Sequence, residues 1–102
     1  MVDKKFREAL DRFLEDVGAE EETYLLDNHA FDKSIVGITM DYILVYDYEK
    51  MAEEFAEDEN CPLEEAYEWL DFNTLRALPY FGDRAPIILC ENRETILEKY
   101  GN

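Results

Sequence analysis

The chain is poor in the residues that carry out chemistry. Its 102 residues hold one histidine, His29, one serine, Ser34, and two cysteines, Cys61 and Cys90. Two cysteines cannot frame a disulfide scaffold, and the paired Cys/His spacing of a zinc site is missing. A serine or cysteine nucleophile needs a base beside it, and there is no Gly-x-Ser-x-Gly elbow for His29 to serve. Cys61 precedes Pro62 at an expected helix start, a position that lowers a thiol pKa. There is no Gly-rich phosphate loop. Asp58-Glu59-Asn60 lacks the alternating ligands and central glycine of a calcium loop. No apolar run approaches the ~18 residues of a membrane span. The start, Met1 to Phe6, lacks the apolar stretch of a signal peptide, so the expected location is the cytoplasm, with both thiols reduced.

Cations are the other shortage. There are 10 Lys and Arg against 26 Asp and Glu, a net charge of −16. The imbalance is local. Residues 41–72 hold twelve carboxylates and one cation, Lys50, and so carry −11, whereas residues 73–102 are balanced. Such a field repels nucleic acid and anionic lipid, which excludes both as direct partners, and it attracts basic protein surfaces. An apolar fraction of 47% with six Phe, seven Tyr and one Trp excludes a disordered acidic tail. The expectation is one folded domain over residues 1–102, stabilised by added salt.

Periodicity predicts the elements. Phe6, Leu10, Phe13, Leu14 and Val17 mark one face of a helix, with Asp3 as N-cap and Gly18 as stop. Thr23 to Leu26 suits a short strand. Ser34–Thr39 and Tyr42–Tyr46 suit a hairpin turning at Met40-Asp41, with a bulge at Gly37. Asp47 caps a second helix over about 48–58, ended by Asn60 and Cys61. Pro62 opens a third, which Pro79 stops. Pro86 to Cys90 suits a buried strand, and Glu94 to Tyr100 a closing helix. The expected class is α+β, in the order α-β-β-β-α-α-β-α, with a small, mainly antiparallel sheet and helices packed on one face.

Three stretches carry a resemblance: Phe31 to Ile38, Val45 to Met51, and Glu64 to Tyr80 running on into Ala85-Pro86-Ile87-Ile88. Together they resemble uncharacterised small acidic proteins of bacterial phages, prophages and mobile elements, over about residues 31–90. The resemblance implies a genetic setting and no activity. Met40-Asp41-Tyr42 stands where that pattern has an Asp-Gly turn.

The acidic segment then offers the leading functional expectation. B-DNA carries one charge per ~1.7 Å of axis, and a helix rises ~1.5 Å per residue. Two adjacent acidic helices therefore present a phosphate-like charge density. The expected partner-binding residues are Glu49, Glu53, Glu54, Glu57, Asp58, Glu59, Glu64, Glu65 and Glu68. They would occupy a basic, nucleic-acid-binding surface of a host-defence protein, as an anti-CRISPR or anti-restriction inhibitor does, with no catalysis, metal or cofactor. One alternative is a homodimer or accessory protein joined through Tyr46, Tyr48, Trp69, Phe72, Tyr80 and Phe81. Another is a metal-dependent enzyme built on Asp27, His29 and Asp32, oxygen and nitrogen ligands within six residues. Asn73, Thr74 and Arg76 form a set that reads with Tyr80 as a recognition surface. The simpler reading is that Asn73 bonds nearby backbone and Arg76 pairs with Glu68, Asp71 or the helix C-terminus.

Overall fold

The computed structural model describes residues 2–26 and 29–101; Asp27, one of the three expected metal ligands, lies outside them. Helix α1 spans Lys4–Val17. The Asp3 carboxylate accepts the Phe6 N–H at 3.1 Å, and Gly18 closes the helix at φ 74°. This is the left-handed cap that a residue without Cβ adopts at little cost. Leu10 and Leu14 of the apolar stripe are buried, and Phe6 packs against the core from its edge.

The strands are β1 (Ile35–Ile38), β2 (Leu44–Asp47) and β3 (Ile87–Leu89), in the order β1-β2-β3. β1 and β2 are antiparallel, with Ile35 opposite Tyr46 and Gly37 opposite Val45, so the bulge falls beside Gly37 as the pattern predicts. β2 and β3 are parallel, with Tyr46 opposite Ile88. The sheet is therefore mixed, not mainly antiparallel. Its cause is the crossover: the chain leaves β2 through two helices and returns at the same end.

Residues 23–26 form no strand, which reduces the order to α-β-β-α-α-β-α. Side chains satisfy this segment instead of a ladder. The Leu26 N–H donates to the Tyr46 hydroxyl at 3.1 Å, and the Thr23 hydroxyl donates to the Tyr42 carbonyl at 2.8 Å. The β1–β2 turn lacks glycine and places Tyr42 at φ 64°. That conformation is strained for a bulky residue. It is held from both sides, by Thr23 and by the Arg84 guanidinium, which donates to the Asp41 carbonyl.

Helix α2 (Tyr48–Glu59) begins on the Asp47 cap, whose carboxylate accepts the Lys50 N–H at 2.9 Å, and ends on Asn60 at φ 51°. Helix α3 (Leu63–Trp69) starts one residue after Pro62, which is its cap. It passes into a π turn, Leu70–Thr74, and then into 3₁₀ turns, Leu75–Arg84, kinked at Gly82. Pro79 thus does not stop the chain's helical course; the hydrogen-bond ladder changes before the missing N–H is reached. Helix α4 (Arg93–Tyr100) is capped by Asn92, which also donates to the buried Asp47 at 2.7 Å. One carboxylate thereby ties the starts of α2 and α4 together. The core is one cluster around Phe31, Leu44, Tyr46, Met51, Ala66 and Leu70. The class is α+β, and among the described residues no helix is long and apolar enough to cross a membrane.

Candidate functional site

The crossover that makes β2 and β3 parallel is the acidic segment itself. α2 and α3 follow β2 and precede β3 in the chain, and they pack against each other. Their apolar residues face the core: Met51, Ala52 and Phe55 from α2, and Ala66 from α3. Most of the carboxylates are left outside, but not all of the expected ones.

Glu54 is a correction. It is 9% exposed and accepts the hydroxyl of the fully buried Ser34 at 2.9 Å, so it belongs to the interior and not to the exposed acidic face. Its position three residues after Met51 puts it on the buried stripe. Asp58 is half-buried beside His29, with Nε2 to Oδ2 at 3.5 Å. Glu49 is half-buried and accepts the Lys99 ammonium at 3.0 Å; Lys99 also reaches Glu91 at 2.8 Å. Glu53, Glu57, Glu59, Glu64, Glu65 and Glu68 are exposed, and among the described residues their carboxylates form no ion pair or hydrogen bond.

These exposed carboxylates fall into two groups. Glu53 and Glu57 border a cleft of about 360 Å³ that also holds Lys33 and Lys50. Glu59, Glu65 and Glu68 rim an open groove of about 610 Å³ whose other walls are Phe55, Cys61, Trp69, Phe72 and Asn73. The groove follows from spacing. Glu65, Glu68, Trp69 and Phe72 stand at i, i+3, i+4 and i+7, one face of the α3 course, opposite the last turn of α2. Its floor is fixed. Trp69 stacks on Phe55 with ring centres 4.5 Å apart, and His29 lies within 5.1 Å of Phe55 and 4.7 Å of Phe31. Phe72 is 65% exposed, and the Arg76 guanidinium rests over its ring at 4.7 Å. Arg76 therefore stacks on an aromatic face instead of pairing with Glu68, Asp71 or a helix end. Asn73 donates to the Trp69 carbonyl at 3.0 Å, the local backbone bond that the simpler reading predicts.

The field of this region appears in its ionisable groups. The Cys61 thiol is pushed up, first by loss of solvent and then by Glu65 and Glu59. The lowering expected from the helix start does not occur, because loss of solvent, and after it the neighbouring negative charges, disfavour the thiolate. Tyr67 is raised by burial and by Glu49 and Glu53, although Lys99 acts in the other direction. Tyr48 is raised well above the usual phenol range by burial and by donating to Asp71 at 2.6 Å.

Among the described residues, neither alternative set comes together as one site. Asp32 is buried and takes both arms of Arg7, at 2.6 and 2.9 Å, and the Asp3 N–H at 2.8 Å. His29 stands beside Asp58, so Asp32 and His29 have different partners. Among the described residues no group of three or more His, Cys, Asp or Glu is placed to hold a metal. Of the aromatic set, Tyr46 is fully buried, Phe81 lies partly buried near Tyr24, and Tyr80 is 91% exposed, so the six do not form one surface. Thr74, read with Tyr80 as part of a recognition surface, is buried in the π turn.

The groove is the feature that residue-by-residue reading misses. Trp69 and Phe72 read as two members of a six-residue aromatic interface and Glu65 and Glu68 as part of a charge run; the joint i, i+3, i+4, i+7 spacing is the signal that unites them. Family models, curated proteins and solved structures yield no match to this chain.

Proposed function

We propose that this is a non-enzymatic acidic binding protein that occupies the basic, nucleic-acid-binding surface of a partner protein. The observation that carries the reading is the set of exposed carboxylates on α2 and α3 that have no ion-pair partner among the described residues: Glu53, Glu57, Glu59, Glu64, Glu65 and Glu68. They stand on two rigid, packed helices in a chain of net charge −16. Arg7 is engaged with Asp32, Arg84 with backbone carbonyls and Lys99 with Glu49 and Glu91, so none of these three neutralises the exposed carboxylates. A fixed array of carboxylates substitutes for phosphates at a surface built to bind them, and long-range attraction speeds the encounter. The resemblance to phage and mobile-element proteins makes a host-defence nuclease the target class we favour.

Duplex DNA should compete with the protein for such a nuclease, and the association rate should fall steeply with salt. Replacing Glu53, Glu57 and Glu64 by Gln keeps the shape and removes charge. The triple variant should associate about tenfold more slowly at low salt with an unchanged melting temperature, as rim charges act mainly on on-rates. Association as fast as the original, together with no competition by DNA, refutes the reading.

A further inference from the structure

We infer that the groove between the end of α2 and the α3 course is a receptor for an arginine side chain presented by the protein partner. The inference rests on the reading above for the kind of partner and adds the chemical group that is bound and the place that binds it.

An arginine needs a flat apolar surface for its weakly hydrated guanidinium faces and acceptors at its edge. Trp69 and Phe72 supply the surface, and Glu59, Glu65 and Glu68 supply the acceptors. The groove, about 610 Å³, has ample room for one such side chain. The charge of its rim is uncompensated. No ion pair or hydrogen bond among the described residues engages these three carboxylates, and the Cys61 thiol on the same wall feels two of them. Carboxylates that already had cations would have to lose them before binding a new one; these do not. The chain itself shows that the aromatic wall takes a guanidinium, since Arg76 rests over Phe72 at 4.7 Å. Arg76 does not line the groove, and the space between Trp69 and the three carboxylates holds no cation of the described chain. The floor is also in place before binding. Trp69 is stacked on Phe55, so little ordering is lost when a side chain enters. An aliphatic or aromatic occupant would give the three rim carboxylates no counter-charge, and a phosphate would be repelled. Arginine is favoured over lysine because the compact ammonium keeps its water and does not stack.

The probes are two blocked tripeptides, acetyl-Gly-Arg-Gly-amide and its citrulline counterpart, which has the same shape without the charge. Trp69 is the only tryptophan, so its indole N–H resonance reports the groove directly. The arginine peptide should shift this resonance in a saturable way, with binding weakened by salt, and the citrulline peptide should bind at least about tenfold more weakly. Glu65→Gln with Glu68→Gln, both at exposed positions, should weaken the arginine peptide by about tenfold with an unchanged amide spectrum elsewhere. Equal shifts from the two peptides, or undiminished binding by the double variant, overturn the inference. The two readings also fail separately. If DNA competes for the nuclease but Glu65→Gln/Glu68→Gln with Phe72→Ala binds that nuclease unchanged, the groove is not the receptor. If the groove selects arginine but DNA does not compete, the arginine receptor stands and occupation of a nucleic-acid surface does not.

Discussion

Replacing Arg7 by Ala tests how the N-terminal helix is held. The Asp32 side chain is 1% exposed and accepts both arms of Arg7, whose own side chain is 29% exposed. Truncating Arg7 leaves a buried carboxylate that, among the described residues, keeps only the hydrogen bond from the Asp3 N–H. Stranding a buried charge in this way costs about 3–5 kcal/mol. The lower figure applies here, because water reaches the Arg7 side of the pair and one donor remains. For a domain of this size about 3 kcal/mol lowers Tm by roughly 12–24 °C. The pH dependence supplies a second check. Burial pushes Asp32 up, but hydrogen bonds from Arg7 and Asp3 outweigh it and hold the carboxyl below its ordinary value. The unfolded chain therefore binds the proton more tightly. The pair's stabilisation is present above about pH 4, the unfolded carboxyl's pKa, and is lost as the pH falls through the lower folded value. Thermal melts of the wild type and Arg7→Ala should differ most near neutrality and converge in acid. Arg7→Leu combined with Asp32→Leu should lose much less than the two single changes summed, since no buried charge is left alone. A neutral-pH loss below about 1 kcal/mol for Arg7→Ala would refute the argument and place the pair among weak surface bridges.

Two further outcomes test the interior and the field. Ser34→Ala removes the donor to the buried Glu54 and should cost about 1–3 kcal/mol in denaturant unfolding, where an exposed serine would cost almost nothing. In a Cys90→Ser background, Cys61 should react with iodoacetamide more slowly at pH ~8 than a free thiol does, and Glu59→Gln with Glu65→Gln should speed it severalfold. An unchanged rate would mean that the two carboxylates do not act on the groove wall.

The helix ends that were legible are those with a cap or a stop written in adjacent residues; the third helix, whose expected stop at Pro79 fails, is the exception. Asp3 with Gly18, Asp47 with Asn60, and the run ending at Gly101 are local signals, and local signals survive in any tertiary setting. The strand expected at Thr23–Leu26 failed for the opposite reason. Its partners, Tyr42 and Tyr46, are distant in sequence and offer a carbonyl and a hydroxyl where a ladder would need a neighbouring strand. The parallel pairing of β3 is likewise decided by a connection, which no short window contains. At the candidate site, the charge run was plain, but which carboxylates are free was not. Glu54 and Glu53 are chain neighbours with opposite fates, because one helical step of about 100° separates the Ser34 side from solvent.

The crossover has a consequence for the order of folding. β3 pairs with β2 only after the two ends of residues 48–86 have been brought together, and that stretch carries −8, half of the chain's net charge. Closing so long a connection is slow on entropic grounds alone. Here the chain must also gather like charges before Ile87–Leu89 can add their hydrogen bonds. The barrier to folding is therefore partly Coulombic, and salt acts on the refolding rate as well as on the final balance. The same arrangement ties both ends of the acidic segment into one sheet, so its charges stay confined to a fixed shape for as long as the sheet is closed.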